Sequence, residues 1–183
     1  MDRQTIRIYD SEKLLSFTYE DLLNFHGKEM PGGVALVFKL MCWIFADVAK
    51  EIPVRGSCSF YSGLGKNGKG IIDGADCVMQ VSKNQKLFLN PDYSLSKNAP
   101  DAPGGGKYYF ELGFNGKIFS VSVKQGVIPE EFFNFSKHIH QKRQNAEPIT
   151  QEEKEKLHFL RHSLAETILN TKAENLFTAE RIK

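Results

Sequence analysis

The residues from Val34 to Val48 form an apolar run interrupted only by Lys39 and Asp47. A helix that is hydrophobic on nearly every side has to be enclosed by other elements, so this run predicts a central, buried helix. The run is shorter than the roughly 20 apolar residues that span a bilayer, and it carries two charges, which favours a buried helix over a membrane span. The rest of the chain therefore has to supply the elements that surround it.

Length and composition predict one domain with a helical appendage. The chain has 183 residues, 41% of them hydrophobic, which is enough for a single buried core. We expect an α+β core over residues 1–127, in which the central apolar helix packs on an antiparallel sheet with a strong hairpin. Residues 128–183 are predicted to form a C-terminal helical extension that packs on this core.

Charge and cysteine content limit the classes of partner. The 24 Lys and Arg residues are mixed with 22 Asp and Glu residues, and the net charge is +2, so no positive field favours nucleic acid. The segment from Met1 to Asp10 lacks an apolar signal core, and we predict no membrane partner. Cys42, Cys58 and Cys77 are widely spaced and form no CxxC pair, which favours a reducing cytoplasm over a disulfide framework or a zinc knuckle.

Strand signals concentrate around one turn. Asn115-Gly116 separates two runs, Tyr108–Phe114 and Lys117–Val123, in which apolar and polar residues alternate. Asn-Gly is the preferred dipeptide of a type I′ turn, so the sequence predicts a β-hairpin with one buried face. Shorter strands are predicted over residues 53–61 and 86–90, and residues 176–182 are predicted to be a strand or an extended tail.

Helix signals lie at both ends of the chain. Thr18 is expected to cap a short helix that Gly27 ends, because threonine satisfies an unbonded amide and glycine tolerates a left-handed conformation. Pro129 is predicted to open a helix that runs to about residue 143. Thr150 and Glu153 fit a capping box for a longer helix. The apolar face of that longer helix consists of Leu157, Leu160, Leu164 and Ile168.

A glycine-rich loop, Gly63–Gly70, precedes a predicted helix over Ile71–Val81. The loop matches G-x-G-x-x-G and nearly matches the P-loop pattern. However, Gly70 stands where a P-loop needs a hydroxyl to hold magnesium. No βαβ unit with an acidic residue at the end of its second strand follows, as dinucleotide binding would require. Nucleotide binding is therefore the weakest interpretation. A flexible turn and a cationic nest, in which Lys66 and Lys69 hold an anion, both stay open.

Four histidines fall into two pairs. His158 and His162 are four residues apart on the long predicted helix, so both rings could reach one metal ion, although histidines at the edge of a packed helix are commoner. His138 and His140 are two apart in a predicted helix, which points them to different faces. No Ser or Cys nucleophile motif accompanies either pair, and whether the chain catalyses a reaction stays open.

One histidine lies between two helices. Phe25-His26-Gly27-Lys28-Glu29-Met30-Pro31-Gly32 connects the end of the capped helix to the start of the apolar one. Four further motifs follow in order along the chain: Gly70 to Ala75, Asp92-Tyr93, the hairpin with its Asn115-Gly116-Lys117 turn, and Glu174 to Phe177. This order of motifs resembles the FmdE-like family of α+β proteins, which is related to formylmethanofuran dehydrogenase and is often encoded in anaerobes.

The resemblance implies a site near His26. In the family, histidines and cysteines of the opening motif and the second helix converge on a metal or cofactor. Lys28, Met30 and Gly70 stand at those positions here, which leaves His26 as the matching ligand. A divalent metal such as zinc would then need Cys58 or Cys77 to replace the missing ligands beside His26, and Asp73 could support His26.

Three functions follow as hypotheses. The first is a small-ligand or cofactor-binding accessory module of anaerobic metabolism. Its pocket would lie between the His26 turn, the glycine-rich loop and a possible lid at residues 91–106, which form a loop long enough to need a use. The predicted contacts to an anionic ligand come from His26, Lys28, Lys66, Lys69 and Asp73. The alternatives are a metal-dependent or redox enzyme and a structural or regulatory homodimer, and a homodimer is expected in any case.

Overall fold

The computed structural model describes residues 4–92, 94 and 98–183 and has the predicted α+β architecture. The strands are β1 (Ile6–Asp10), β2 (Lys13–Phe17), β3 (Ser59–Ser62), β4 (Leu87–Phe88), β5 (Tyr109–Phe114), β6 (Lys117–Val123) and β7 (Phe177–Arg181). The helices are α1 (Tyr19–His26), α2 (Pro31–Trp43), α3 (Lys69–Met79), α4 (Glu130–Gln144), α5 (Gln151–Asn170) and α6 (Ala173–Leu176). A π-helical turn, Ile44–Val48, extends α2, and Arg55–Ser57 form a 3₁₀ turn.

Two sheets are present in the described residues. β1 and β2 form a separate antiparallel hairpin, which was not predicted from the sequence. The main sheet has the order β4-β3-β5-β6-β7, and its neighbours are antiparallel except for β3 and β4. That pair is parallel and only two residues long, so the predicted antiparallel sheet is mixed at one edge.

The predicted central hairpin is confirmed. Asn115 and Gly116 both have positive φ, 49° and 78°, as a type I′ turn requires. Phe114 pairs with Lys117, which fixes the register of β5 and β6. Because the register places alternate residues on one face, Phe119, Val121 and Val123 are buried in the core.

The apolar run forms the centre of the molecule, as predicted. α2 begins with Pro31 as its first residue, and α1, α3 and α5 pack around it. Together with the π-helical turn it spans Pro31–Val48. By length and composition this segment is sufficient to cross a membrane, contrary to the sequence-based expectation, but 72% of it is buried inside the protein. The structure therefore uses the segment as a core helix.

The C-terminal segment packs on the centre and then returns to the sheet. The predicted apolar face of α5 is buried, and Thr150 and Glu153 form the predicted capping box. After α6, β7 pairs with β6, so the final segment is a strand. Phe177 at the start of β7 stacks on Trp43 of α2, with ring centroids 6.0 Å apart. The last strand thus joins the sheet to the central helix.

The predicted lid at residues 91–106 lies partly outside the described residues, because Tyr93 and residues 95–97 are not described. Its described end folds onto the core. Asp101 pairs with Lys107 in an isolated antiparallel bridge, and the Lys107 ammonium donates to Asp101 at 2.8 Å. Ala99 and Ala102 are buried, so this part is a packed segment.

Candidate functional site

A cavity of about 270 Å³ lies between the core and the C-terminal helices. Its walls come from the first turns of α2 and α3, the loop before α3, residues 102–104, and the inner faces of α4 and α5. This volume is just below the usual range for small-molecule sites, which is roughly 300–1,000 Å³. The cavity is therefore the right size for a compact organic ligand.

The glycine-rich loop shapes one wall. Ser62 at the end of β3 accepts from the Gly65 amide through its carbonyl at 3.1 Å, and its hydroxyl accepts from the Leu64 amide at 3.3 Å. Gly65 and Gly68 then have φ of 61° and 69°, a conformation that favours glycine. The loop turns tightly into α3 as a consequence. The Asn67 side chain donates to the Gly104 carbonyl at 2.7 Å and so ties the loop to the opposite wall.

The first turns of α2 and α3 meet at the cavity, and we call residues 31–33 and 69–71 the paired helix starts. Neither helix has a side-chain cap. A Cβ added to Gly70 would lie 2.8 Å from the Met30 carbonyl oxygen, so only glycine permits this approach. The first amides of a helix have no intrahelical acceptor, and together they carry a partial positive charge. Two such ends therefore face the same space.

Four cationic side chains line the cavity: Lys66, Lys69, Arg143 and Arg161. None of the described lining residues is acidic. Among the described residues, no carboxylate lies within the 4.0 Å ion-pair distance of any of the four. By contrast, Lys142 of the same helix as Arg143 is paired with Glu153 at 2.8 Å. The cavity thus collects four cations without an ion-pair partner among the described residues. Arg161 is partly buried, whereas the other three are exposed.

Arg161 shows the electrostatic consequence most clearly. Its guanidinium donates to the Glu29 carbonyl at 3.1 Å but to no carboxylate of the described residues. Burial, and then repulsion from Arg143, lower the pKa of Arg161 below its usual value, while the charge of Glu29 acts in the opposite direction. Like charges held together at a partly desolvated position favour binding of an anion between them.

Three polar side chains add hydrogen-bonding capacity. Tyr108 is 7% exposed and lines the cavity, and its hydroxyl makes no hydrogen bond to a described residue. Burial raises the pKa of Tyr108, so this hydroxyl stays a donor. The Ser136 hydroxyl is buried without a described partner, and His140 one turn later has Gln144 Nε2 at 3.1 Å from its Nε2. Hydroxyls inside a protein normally have partners. The Ser136 oxygen is enclosed without a described one, and the Tyr108 hydroxyl offers a donor at the cavity wall.

The remaining lining is apolar. This apolar lining includes one residue from each of four helices: Leu36 of α2, Ile71 of α3, Phe132 of α4 and Leu164 of α5. Burial of an apolar ligand body against this wall is favourable because it removes apolar surface from water. The cationic groups favour a ligand with a negatively charged end. The arrangement therefore fits an organic anion with both parts.

His26 lies outside this cavity lining. Its Nδ1 is 2.7 Å from Asp73 Oδ2, and its side chain is only 1% exposed. The structure brings these two predicted site residues together, and the pair ties the end of α1 to α3. Lys28 is exposed at φ 69° and does not line the cavity. Of the five predicted ligand contacts, Lys66 and Lys69 lie at the cavity, whereas His26, Lys28 and Asp73 do not.

The predicted metal ligands are not brought together. In the part of the chain that is described, no three His, Cys, Asp or Glu side chains cluster as a metal site would need. Cys58 Sγ donates to the Val54 carbonyl at 3.5 Å, and burial raises the pKa of Cys58 to about 12 and that of Cys77 to about 11. The described residues therefore provide no clustered donor set that would hold a divalent metal at His26.

The other histidines have different surroundings. His158 and His162 are both exposed, with ring centroids 4.2 Å apart. His138 Nε2 is 3.2 Å from Glu153, whereas His140 lines the cavity, so the prediction that these two point to different faces is confirmed.

Several polar residues of the cavity wall were not predicted from the sequence. Arg143, Arg161, Tyr108 and Ser136 were not selected because they belong to no motif. One signal was present: Arg161 lies within the leucine stripe of α5, four residues after Leu157 and three before Leu164. A charged residue at such a position needs a specific reason to be there.

No protein-family model matches this sequence, and no curated protein shows significant similarity to it. The resemblance to the FmdE-like family therefore stays a prediction that rests on the short motifs.

Proposed function

We propose that this protein is a binding module for a small organic anion, which it holds in the cavity between the paired helix starts and the C-terminal helices. The observation that carries the proposal is the charge of the lining. One cavity is lined by four cations, Lys66, Lys69, Arg143 and Arg161. Among the described residues, the cavity has no acidic lining residue and none of the four cations has an ion-pair partner. A bound anion would neutralise this charge.

The predicted accessory role fits the same cavity. A module that binds a cofactor or metabolite needs one preformed, largely apolar site with a few polar anchors, and the cavity has that composition. We therefore keep, as part of the proposal, a role as a ligand-binding accessory protein. Membership of the anaerobic family would add the metabolic context, but the charge argument does not depend on it.

Thermal shift and calorimetry test the proposal. Wild-type protein would be titrated at low ionic strength with acetate, benzoate, phenyl phosphate and inorganic phosphate. A ligand that binds only the folded state raises the melting temperature in proportion to the logarithm of its concentration. We expect at least one anion to do so, and we expect added salt to weaken it because charges at a cavity mouth are screened.

A matched pair of variants locates the site. Lys66→Ala with Arg161→Met removes two cavity cations and should weaken binding by at least about tenfold, since a charge-assisted hydrogen bond contributes about 1.5–3 kcal/mol. Lys83→Ala with Arg7→Ala removes two exposed cations that do not line the cavity and should leave affinity unchanged. If no anion stabilises the wild type, or both variants behave alike, the proposal is wrong.

A further inference from the structure

We propose that the ligand is a phosphate monoester with an apolar body, whose phosphate lies against the paired helix starts. This inference rests on the proposed function and specifies the chemistry of its ligand. The first supporting observation is the amount of positive charge at the cavity. Four cations line the cavity, and a carboxylate would balance only one of those charges. A phosphate monoester carries about −1.5 to −2 at pH 7 and is the better match.

The helix starts supply the directional contacts. The first intrahelical bond of α2 comes from the Val34 amide, and that of α3 from the Ile71 amide. The amides of Gly32, Gly33, Lys69 and Gly70 precede these bonds, and all four residues line the cavity. A phosphate presents three acceptor oxygens, whereas a carboxylate presents two, so the phosphate can use donors from both helices together.

Two hydroxyls indicate a ligand independently of the helix starts. Tyr108 is more than nine-tenths buried, lines the cavity and has no described hydrogen-bond partner for its hydroxyl. The Ser136 hydroxyl oxygen is buried and unpartnered among the described residues, and it comes from the opposite wall on α4. An enclosed hydroxyl without a partner is unfavourable, so the Ser136 hydroxyl, together with the Tyr108 donor at the cavity wall, points to a ligand that supplies acceptors.

The apolar part of the lining defines the rest of the ligand. Leu36, Ile128, Phe132 and Leu157 face the same space and come from three different helices and the segment before α4. Inorganic phosphate would leave these side chains without a partner. An aromatic or branched aliphatic body would cover them, and each Å² of apolar surface removed from water contributes about 25 cal/mol.

Calorimetry with four probes tests the inference at about pH 7.5, where a second phosphate pKa of about 6 leaves the dianion dominant. Phenyl phosphate is the probe of the proposed class. Benzenesulfonate has a similar shape but a single charge, benzoate carries a planar monoanion, and inorganic phosphate lacks the apolar body. We expect phenyl phosphate to bind at least about tenfold more tightly than each of the other three, because it alone uses the extra charge and the apolar wall.

Phe132→Ala separates the two parts of the ligand. It should weaken phenyl phosphate about fivefold and leave inorganic phosphate unchanged, because only the apolar contact is lost. Phe132→Leu tests the same contact if circular dichroism shows that the alanine variant does not fold. Tyr108→Phe keeps the ring and should also weaken phenyl phosphate.

Each contrary result has a distinct meaning. Benzoate or benzenesulfonate binding as tightly as phenyl phosphate would overturn the phosphate inference and leave the proposed anion function standing. Inorganic phosphate binding as tightly as phenyl phosphate would overturn the apolar body. Absence of binding by every anion would overturn both the inference and the proposed function.

Discussion

At the residue scale, buried polar groups decide which positions are sensitive. His26 is almost fully enclosed, and its partner Asp73 is the one described group that satisfies its Nδ1. Its Nε2 is buried without a described partner. Because one ring nitrogen of His26 is already unsatisfied, loss of the hydrogen bond at the other nitrogen should destabilise the fold.

Asp73→Ala should destabilise the protein by about 1–3 kcal/mol, because it removes the only described partner of a buried imidazole and leaves a second buried polar atom unsatisfied. Urea unfolding followed by circular dichroism measures the change.

The control for this prediction is Asp47→Ala, which removes an exposed helical carboxylate and should change stability by no more than about 0.5 kcal/mol. Equal effects of the two substitutions would show that the His26–Asp73 contact does not contribute to stability.

At the scale of elements, close contact between helices depends on small residues and on caps. α2 approaches α3 through Gly70, and α4 approaches α5 through Glu153, which accepts two bonds from Lys142 and one from the Thr150 amide. The first contact is steric and the second is electrostatic. They therefore respond to different perturbations.

Gly70→Ala should destabilise the fold by about 1–3 kcal/mol, because the new methyl group would lie 2.8 Å from the Met30 carbonyl and push the paired helix starts apart. The same displacement should weaken anion binding. Thermal unfolding and calorimetry measure the two effects.

Gly56→Ala is the matched control for the glycine prediction, since nothing lies within 4 Å of its added Cβ and its φ is not positive. It should leave both stability and binding near the wild-type values. A wild-type-like Gly70→Ala would mean that α2 and α3 separate without cost.

Glu153 predicts a particular pH dependence. The Lys142 ammonium and then the Thr150 amide lower the pKa of Glu153 from 4.5 to about 2. The folded-state pKa is depressed, so this carboxylate stabilises the fold above about pH 4.5, and that contribution is lost as the pH falls towards 2. In Glu153→Gln the cap geometry is kept but the titration is gone. The urea midpoint of the variant should therefore fall less between these pH values than that of the wild type.

The control for the pH prediction is Glu152→Gln, an exposed neighbour in the same turn. It should keep the wild-type slope of midpoint against pH. If Glu153→Gln kept that slope as well, the ion pair between α4 and α5 would not be linked to folding.

At the scale of the whole molecule, the C-terminal segment is interleaved with the rest of the core. α5 packs on α2, and β7 completes the sheet beside β6. Phe177 is 1% exposed and stacks on the single tryptophan, Trp43. Unfolding of either part would expose the face on which the other packs.

We predict that tryptophan fluorescence and far-ultraviolet circular dichroism report one coincident unfolding transition. Phe177→Ala should lower the free energy of unfolding by about 3–5 kcal/mol, as expected for a truncated core aromatic, and should shift both probes together. Phe159→Ala, at a position that is 67% exposed, should shift neither. Separate transitions would show that the C-terminal helices unfold independently.

Assembly, compartment and partners stay predictions. The expected homodimer would have twice the chain mass of 20.7 kDa by light scattering. The cytoplasmic location and the absence of nucleic acid and membrane partners rest on composition alone.

Much of the fold followed from local chemistry. The Asn115-Gly116 turn, the Thr150 and Glu153 capping box and the Gly27 helix end were predicted correctly, because each depends on a few neighbouring residues. The β1–β2 hairpin was missed, since its turn lacks such a dipeptide. The site was found in part: Lys66 and Lys69 came from a glycine-rich motif, whereas Arg143 and Arg161 belong to no local pattern.

The sequence by itself determined the central helix, because an apolar run such as Val34 to Val48 is stable in water only when other elements cover it. It also determined where the glycine-rich loop turns, because glycine adopts a positive φ without the steric cost that other residues incur. Only the tertiary structure decided that His26 would pair with Asp73 and that α4 and α5 would close a cationic cavity over the helix starts. Those outcomes depend on contacts between residues distant in the chain, and no local propensity encodes the distance between them.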